Sequence, residues 1–293
     1  MIDHLKRIAR TTPLYGLYQR HYKFRLEYSL INKKPITLST HQPSVIHYTL
    51  NKSASQYIKK ILRQCGKAVG YQSVHFADLA FNSDFPYLSL RTQAEEVSYM
   101  HVFRPKGFIY SAFGRMTAPI PNFDQYCALL VIRDPRDILV SKYFSRKYSH
   151  PEPGSKGGKR DQFLEWRKHA QHSDIDSYVL DQKSLIKGLL DEYRLHLLTP
   201  SPSTLILKYE DMTGNFESWL SALLAHTQIE IPERLRDQLI KEHAAMRPVK
   251  EDVHKHIRYG RPKAYKEKLK PDTVEILNDY FSDELSIFQY SPD

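Results

Sequence analysis

The chain has 293 residues, of which 41% are hydrophobic and 26% are charged, and its 43 Lys and Arg against 33 Asp and Glu give a formal net charge of +10. This composition excludes a disordered chain and an integral membrane protein, and no apolar run reaches the roughly 18 residues needed to span a bilayer. We therefore expect a cytoplasmic protein with no transmembrane segment. The positive balance favours an anionic partner.

The number of cysteines and the distribution of charge further limit the kinds of site and partner that we expect. Cys65 and Cys127 are too few for a disulfide framework, and the lack of a CxxC pair or a His/Cys cluster argues against structural zinc. Residues 1–36 hold eight Lys or Arg and two Asp or Glu, and a second basic stretch runs from Ser145 to His172. Neither stretch has the pattern of a nucleic-acid module. We expect a basic N-terminal segment, 1–36, and one α/β domain, 37–293.

The hydrophobic pattern predicts strands and helices in alternation. Short β-branched or aromatic runs predict strands at 44–50, 71–76, 107–112, 126–132 and 203–208. Helical spacing predicts helices at 53–67, 134–147, 161–170, 175–198, 215–226, 232–245 and 271–281. This alternation is typical of an α/β fold with a mainly parallel central sheet and helices on both faces. The Pro- and Gly-containing run 148–159 predicts a mobile surface loop.

A lysine and two hydroxyls follow the first predicted strand. The segment Leu50-Asn-Lys-Ser-Ala-Ser-Gln-Tyr57 places Lys52 where a loop becomes a helix. The N–H groups and dipole of a helix start attract anions, and Lys52 adds a mobile positive charge. The alternative is that Ser53 only caps the helix and Lys52 is solvated. A nucleoside-triphosphatase P-loop needs two glycines, and Ile46 and Asn51 stand in their places.

A second motif, Arg133-Asp-Pro-Arg-Asp137, follows the predicted strand 126–132. Arg133 ends this strand, and Ser141 lies two helical turns beyond it. Open α/β sheets bind ligands at the carboxyl ends of their strands, so Arg133 is well placed for one. The alternative is a surface ion pair among the charged residues of the motif.

These motifs resemble those of the sulfotransferases that use 3′-phosphoadenosine 5′-phosphosulfate (PAPS). Lys52-Ser-Ala-Ser-Gln-Tyr57 is similar to the KSGTTW part of the family's 5′-phosphosulfate loop, and Arg133 with Ser141 matches the eight-residue spacing of its 3′-phosphate motif. Ile257–Lys266 resembles the family's late RKG segment, and Leu205–Asp211 resembles its YEDL strand. The matches occur in the family's order. They imply a P-loop-like nucleotide-binding fold.

The resemblance also implies which residues bind the donor. The 5′-phosphosulfate loop and the adenine contact would comprise Lys52, Ser53, Ala54, Ser55, Gln56 and Tyr57. The 3′-phosphate would be held by Arg133, Ser141, Arg258, Tyr259 and Gly260. Lys52 is also the predicted catalytic cation for the leaving phosphate oxygen. No metal is expected, because protein cations supply the charge.

The family's catalytic histidine has no counterpart in this sequence, because the corresponding strand, Phe108–Arg115, contains none. Histidine suits a general base since its pKa lies near neutrality. We choose His75 as the base, with Asp78 and His101 as alternatives. Arg115 either positions the reacting groups or forms an exposed salt bridge.

We therefore expect transfer of a sulfuryl group from PAPS to a hydroxyl or amine of a soluble acceptor, a small molecule or a glycan, leaving adenosine 3′,5′-bisphosphate (PAP). No nucleic-acid partner is expected, and a homo-oligomer is compatible with the sequence. One alternative is a P-loop kinase or nucleotide phosphotransferase, which should show Walker glycines and a carboxylate for Mg²⁺. The other is a non-catalytic polyanion-binding module, which explains the charge but not the ordered motifs.

Overall fold

The computed structural model describes residues 13–88, 99–115, 120–154, 158–201, 203–246 and 261–292. Within these ranges five parallel strands form one sheet in the order β2-β3-β1-β4-β5. The strands are β1 Val45–Thr49, β2 Gln72–Val74, β3 Phe108–Phe113, β4 Cys127–Ile132 and β5 Leu205–Lys208. The sequence predicted all five strands.

Helices connect and cover the strands. Before β4 the α-helices are α1 Pro13–Tyr18, α2 Arg25–Ile31, α3 Ser55–Ala68 and α4 Phe76–Asn82. Between β4 and β5 they are α5 Pro135–Phe144, α6 Gly158–His172 and α7 Ile175–Tyr193. After β5 they are α8 Tyr209–Gly214, α9 Phe216–Thr227, α10 Glu233–Ala245, α11 Tyr265–Lys268, α12 Pro271–Tyr280 and α13 Ser282–Ile287. π-Helical turns Gln19–Lys23, Ser145–Ser149 and Arg194–Leu198 extend α1, α5 and α7, and 3₁₀ turns lie at Met100–Val102 and Phe123–Gln125.

The two faces of the sheet carry separate apolar clusters, because side chains alternate along each strand. On one face, Ile46 and Leu130 pack with residues of α5 and α7. On the other face, Val45 and Leu129 pack with residues of α3 and α9. The predicted α/β class, with a parallel sheet and helices on both faces, is confirmed.

The strand order creates a crevice between β1 and β4. From β1 the chain continues to β2 and β3 on one side of the sheet, whereas from β4 it continues to β5 on the other side. Helices α3 and α5, which follow these two strands, cover opposite faces. Open α/β sheets bind ligands at such a switch point, at the carboxyl ends of the strands.

The N-terminal segment packs onto the sheet domain from residue 19 onward. Phe24 and Leu30 are buried in the same cluster as Ile46. The Gln19 side chain donates a hydrogen bond of 2.9 Å to the carbonyl of Asn82, at the end of α4. The division of the chain at residue 36 stays a prediction.

Two further findings concern the rest of the described chain. The predicted loop 148–159 begins within a π-helical turn and ends within α6, and residues 150–154 between them have no helix or strand. No helix in the described ranges is long and apolar enough to cross a membrane.

Candidate active site

The loop between β1 and α3 presents Lys52 at the crevice. Lys52 and Ala54 both have a left-handed backbone, with φ of 78° and 60°, which residues with a Cβ rarely adopt. Ala54 is the N-cap residue of α3, and no side chain caps the helix start. The Ser53 hydroxyl is buried and has no hydrogen-bond partner among the described residues, so Ser53 is not the cap. The first-turn N–H groups are therefore suited to an anion.

Tyr57, in the first turn of α3, joins an aromatic group with Phe216 of α9 and His243 of α10. The Tyr57 hydroxyl lies 3.1 Å from His243 Nδ1. The rings of His243 and Phe216 stack with centroids 4.1 Å apart. Burial raises the pKa of the Tyr57 phenol, so this group is neutral. The cluster offers flat aromatic surface beside the helix N-terminus, which suits a purine.

Arg133 connects the loop after β1 with the loop after β4. Its Nη1 donates a hydrogen bond of 3.0 Å to the Lys52 carbonyl. Its Nη2 lies 3.5 Å from Asp137 Oδ2, and its guanidinium carbon lies 4.3 Å from the centre of the Tyr209 ring. Its Nε is buried without a hydrogen-bond partner in the described part of the chain. The ion pairs of the motif exist, but they are buried and not on the surface.

Asp137 ties the late part of the chain to this site. Its carboxylate accepts hydrogen bonds from the N–H groups of Lys263 at 2.8 Å and Tyr265 at 3.1 Å. Burial raises the pKa of this carboxyl, against the opposing effect of Arg133. Ser141 lies one turn farther along α5 on the same helix face as Asp137. Three predicted site residues of the late segment lie outside the described residues: Arg258, Tyr259 and Gly260.

A second buried ion pair braces the start of α5. The Asp134 carboxylate contacts the Arg136 guanidinium through two hydrogen bonds, of 3.0 Å and 2.7 Å. Arg136 is fully buried and also donates to the carbonyls of Ser291 at 2.7 Å and Pro292 at 3.1 Å. Residues near position 290 therefore fix the helix that carries Asp137 and Ser141.

At the carboxyl end of β3, Arg115 forms an ion pair with Glu192 of α7. Arg115 Nε lies 3.0 Å from Glu192 Oε2, and Nη2 contacts the other oxygen. The preceding residue, Gly114, lies beside the carbonyl of Thr49 at the end of β1. Arg115 and Glu192 therefore lie at the edge of the sheet where the Lys52 loop begins. The side chain of Arg115 is 35% exposed and that of Glu192 is 20% exposed, so the pair is partly accessible to solvent.

His75 follows β2 and precedes α4. Its Nδ1 lies 3.1 Å from the carbonyl oxygen of Ser111. Because a carbonyl only accepts hydrogen bonds, Nδ1 carries the proton and Nε2 carries the lone pair. Burial lowers the pKa of His75, which keeps the ring neutral at pH 7.

Strand register fixes the place of His75 in the sheet. Val74 pairs with Tyr110, and Ser111 pairs with His47 of β1. His75 therefore lies about 10 Å across the sheet from β1, and about 10 Å before β1 gives way to the Lys52 loop. The structure does not bring His75 and Lys52 into contact.

The two alternative bases are engaged with other groups. Asp78 Oδ2 lies 2.5 Å from Lys59 Nζ of α3. His101 Nε2 lies 3.0 Å from the carbonyl oxygen of Ile31 in α2. In the described ranges, no group of three or more His, Cys, Asp or Glu could hold a metal ion.

Comparison with known proteins identifies the family. A family model described as the sulfotransferase domain matches residues 119–289, more than half of the chain. The chain belongs to the sulfotransferase family. Sulfotransfer is accordingly its general reaction.

Two solved structures of PAP complexes are similar to this chain to different degrees. Mouse sulfotransferase SULT7A1 complexed with PAP is 13% identical, with a TM-score of 0.53 over 89% of this chain and 88% of that chain. Retinol dehydratase in a complex with retinol and PAP is 14% identical, with a TM-score of 0.46 over 88% of this chain and 84% of that chain. No curated protein matches the sequence. The first of these likenesses supports the P-loop-like fold that the sequence motifs imply.

Three residues that hold the site together, Asp137, Glu192 and Tyr209, are not among the site residues predicted from the sequence. The anchoring of residues 263 and 265 by Asp137 has a signal in the sequence, because two acids alternate with two arginines directly after a buried strand. Glu192 has none, since it is one of four acidic residues on a 19-residue helix. The only sequence signal for Tyr209 is its place in the segment that resembles the family's YEDL strand.

Proposed function

We propose that this sulfotransferase transfers the sulfuryl group of PAPS to a hydroxyl or amine of its acceptor and releases PAP. The observation that carries the proposal is the hydrogen bond from Arg133 to the Lys52 carbonyl, because it joins the two predicted phosphate sites in one crevice. The family match includes Arg133 and the late segment but begins after the Lys52 loop. The role of that loop rests on its own geometry.

The residues around the crevice fit PAPS. The uncapped start of α3, with Lys52 and the N–H groups of residues 53–56, would hold the 5′-phosphosulfate. The aromatic group at Tyr57 would contact the adenine. Arg133 and Ser141, with Arg258, Tyr259 and Gly260, would hold the 3′-phosphate. A buried guanidinium there discriminates PAPS from ATP, which has no 3′-phosphate.

When bound, PAPS supplies a sulfuryl group on a phosphate leaving group. The protein must then align the acceptor and neutralise the charge that grows on the leaving oxygen. Lys52 performs the second task, supported by the N–H groups at the start of α3. His75 accepts the acceptor's proton at Nε2, the ring nitrogen that carries the lone pair.

The acceptor itself is proposed only by class. The proposed acceptor is a soluble small molecule or a glycan, and both classes agree with membership of the sulfotransferase family. The cytoplasmic location, the lack of a nucleic-acid partner and a homo-oligomeric state stay predictions.

Ligand binding tests the proposal without an acceptor. Thermal unfolding of the full chain should be recorded with PAP, with ATP and Mg²⁺, and with a single-stranded oligonucleotide. We expect PAP at 100 times its dissociation constant to stabilise the protein by about 2.7 kcal/mol, and ATP at the same concentration much less. Stabilisation by ATP with Mg²⁺ but not by PAP would remove the 3′-phosphate site and with it the proposal. Stabilisation by the oligonucleotide alone would favour a polyanion-binding module.

A further inference from the structure

The N-terminal helices expose three large apolar side chains close together. Leu17 is 52% exposed, Tyr18 is 51% exposed and Tyr22 is 77% exposed. They are three of the ten exposed large hydrophobic residues in the described part of the chain, and they lie within six positions. Isolated apolar residues on a surface need no explanation, but a cluster does.

Positive charge surrounds this cluster. Arg20, Lys23 and Arg25 are exposed between and beside the aromatic residues. The only acidic residue from 13 to 34 is Glu27, which is buried. Burial raises the pKa of Glu27 to about 7, so this carboxyl offsets only part of the positive charge at neutral pH. We name Leu17, Tyr18, Arg20, Tyr22 and Lys23 the N-terminal surface.

Buried neighbours hold the N-terminal surface in place. Gln19, Phe24 and Leu30 are buried on the inner side of the same segment. The bond from Gln19 to the Asn82 carbonyl fixes it to α4. The exposed residues are thus the outer side of a packed element.

The arrangement of the rings favours one kind of partner. Tyr15, Tyr18 and Tyr22 pack on each other in series, with centroids 6.2 Å and 6.1 Å apart. Single-stranded nucleic acid is bound in a positively charged groove that follows its backbone, whereas this surface combines the tyrosines with the exposed aliphatic side chain of Leu17. Tyrosine hydroxyls and lysine or arginine side chains beside apolar groups suit the headgroup region of a bilayer.

We propose that the N-terminal surface docks this protein on a bilayer that contains anionic lipids. The apolar groups enter the headgroup boundary, and the cations contact lipid phosphates. Glu27 of the same segment accepts a 2.7 Å hydrogen bond from the His75 N–H, next to the carboxyl end of β2. The segment that carries the N-terminal surface is therefore packed against the β2 side of the sheet domain. The proposal is independent of the donor and of the reaction.

Vesicle sedimentation tests this proposal with the full chain. The vesicles are phosphatidylcholine alone, or phosphatidylcholine with phosphatidylglycerol at about 3:1, in salt of about 0.15 M. We expect binding to the anionic vesicles only. The double variant Arg20→Gln with Lys23→Gln should bind about tenfold more weakly or worse, because each cation near an anionic surface contributes severalfold. Tyr18→Ser with Tyr22→Ser should also weaken binding about tenfold.

A matched control uses two exposed arginines elsewhere, Arg194→Gln with Arg234→Gln, which removes the same charge. Its binding should stay within about twofold of the parent protein if the local surface and not the net charge governs docking. Equal losses in the control and the test variant would overturn the proposal. If the parent protein does not bind anionic vesicles, the proposal is also overturned. This holds whether or not the protein binds a single-stranded oligonucleotide.

Discussion

Arg133 has two roles that compete for one guanidinium. It holds the Lys52 carbonyl and faces Asp137, and it is also the cation proposed for the 3′-phosphate. A phosphate bound to Arg133 would share the guanidinium with the buried carboxylate of Asp137. Arg133 alone therefore cannot neutralise the phosphate, and the proposed site also needs Ser141 and the late segment. Substitutions of Arg133 and Ser141 can measure how much each residue contributes to binding of the phosphate.

Replacing Arg133 with Ala should weaken PAP binding by about 2 kcal/mol or more, because a charge-assisted pair is lost. AMP, which has no 3′-phosphate, should lose much less affinity in the same calorimetric titration. Ser141→Ala should cost about 1 kcal/mol, the value of one neutral hydrogen bond. Because Arg133→Ala leaves Asp137 unpaired, Arg133→Lys provides a folded variant that keeps the charge without the planar fork. Equal losses for PAP and AMP in both variants would contradict the 3′-phosphate role.

Lys52 should matter more for turnover than for binding. Its charge is most useful when the leaving oxygen becomes negative, so Lys52→Met should lower kcat by about 100-fold while the dissociation constant of PAP changes less. Steady-state rates with an identified acceptor and PAP calorimetry measure the two effects. A matched substitution of an exposed lysine of the helix that follows the loop, Lys60→Met in α3, should leave both nearly unchanged. Unaltered turnover in Lys52→Met would show that Lys52 is only a solvated residue.

The proton acceptor can be identified by comparing two substitutions. His75→Gln should lower kcat by about 100-fold with little effect on PAP binding, and should remove the acidic limb of the pH–rate profile. Glu192→Gln is the comparison, because Glu192 lies with Arg115 at the edge beside the Lys52 loop. If Glu192→Gln abolishes the limb and His75→Gln preserves it, Glu192 is the base and the choice of His75 is wrong.

At the scale of the element, α2 places the carboxyl of Glu27 in a buried position, where ionising this group costs free energy. Glu27 is 3% exposed and accepts the His75 N–H. Burial raises its pKa from 4.5 to about 7, so between these values the folded protein binds more protons than the unfolded chain. Stability from this group is therefore present at low pH and is lost as pH rises through 7. His47 acts in the opposite sense, since burial lowers its pKa to about 3 and the folded state loses stability as pH falls below its ordinary value of 6.5.

Glu27→Gln should isolate the carboxyl contribution. The amide oxygen can still accept the His75 N–H, but it carries no charge at any pH. We expect equal stability of parent and variant near pH 4, and a gain of about 3 kcal/mol for the variant near pH 8. Urea unfolding at both pH values measures the difference, and the effect of His47 cancels because both proteins contain it. A variant equally destabilised at both pH values would show that Glu27 is needed for packing and not penalised for its charge.

Some elements could be predicted from sequence because one physical signal dominates them. β4 is buried along Ala128–Ile132, so its apolar run is unbroken, and the apolar positions of α3 recur at helical spacing. Short helices such as α2 and α8 span about two turns, which is too few for a periodic pattern to stand out. The left-handed backbone of Ala54 had no signal either, because alanine has no preference for it and the surrounding loop imposes it.

The candidate site was predictable where its residues are neighbours in sequence and not where they meet across the sheet. Lys52 and Arg133 each follow a predicted strand, so a parallel sheet places both at one edge, whereas their contact depends on the observed adjacency of β1 and β4. The position of His75 depends on β2 lying at the sheet edge beyond β3, which strand content does not reveal. The pairing of Arg115 with Glu192 depends on how α7 packs, and side chains 77 positions apart give no local pattern.

On the scale of the whole molecule, the chain near residue 290 packs against the start of α5, next to the proposed donor site. Ser291 and Pro292 bind Arg136 through their carbonyls, and Tyr290 donates a 3.0 Å hydrogen bond to Glu210. Glu210 in turn accepts the N–H of Asp134. The first turn of α5 is therefore clamped between α8 and the last described residues.

Removing the residues after Gln289 should destabilise the protein by about 3 kcal/mol or more, because a buried guanidinium loses two carbonyl partners. PAP affinity should fall as well, since α5 positions Arg133 and Ser141. Urea unfolding and calorimetry on the shortened chain measure both effects. Asn278→Ala is the milder control, because it removes one partner of Arg136 and keeps the carbonyls. Unchanged stability in the shortened chain would show that the clamp is dispensable.

The clamp also sets an order of events during synthesis. Arg136 and the Ser291 carbonyl are separated by 155 positions, so the ribosome makes β5 and the eight described α-helices α6 to α13 between them. Strands β1 to β4 can pair as soon as they have emerged, since their contacts are more local. Until Ser291 and Pro292 have emerged, Arg136 lacks two carbonyl partners, and burying its charge costs free energy that these carbonyls are not yet there to offset. A nascent chain thus acquires its sheet before its proposed donor site, and we expect nucleotide to stabilise the fold fully only after the residues near 290 have emerged.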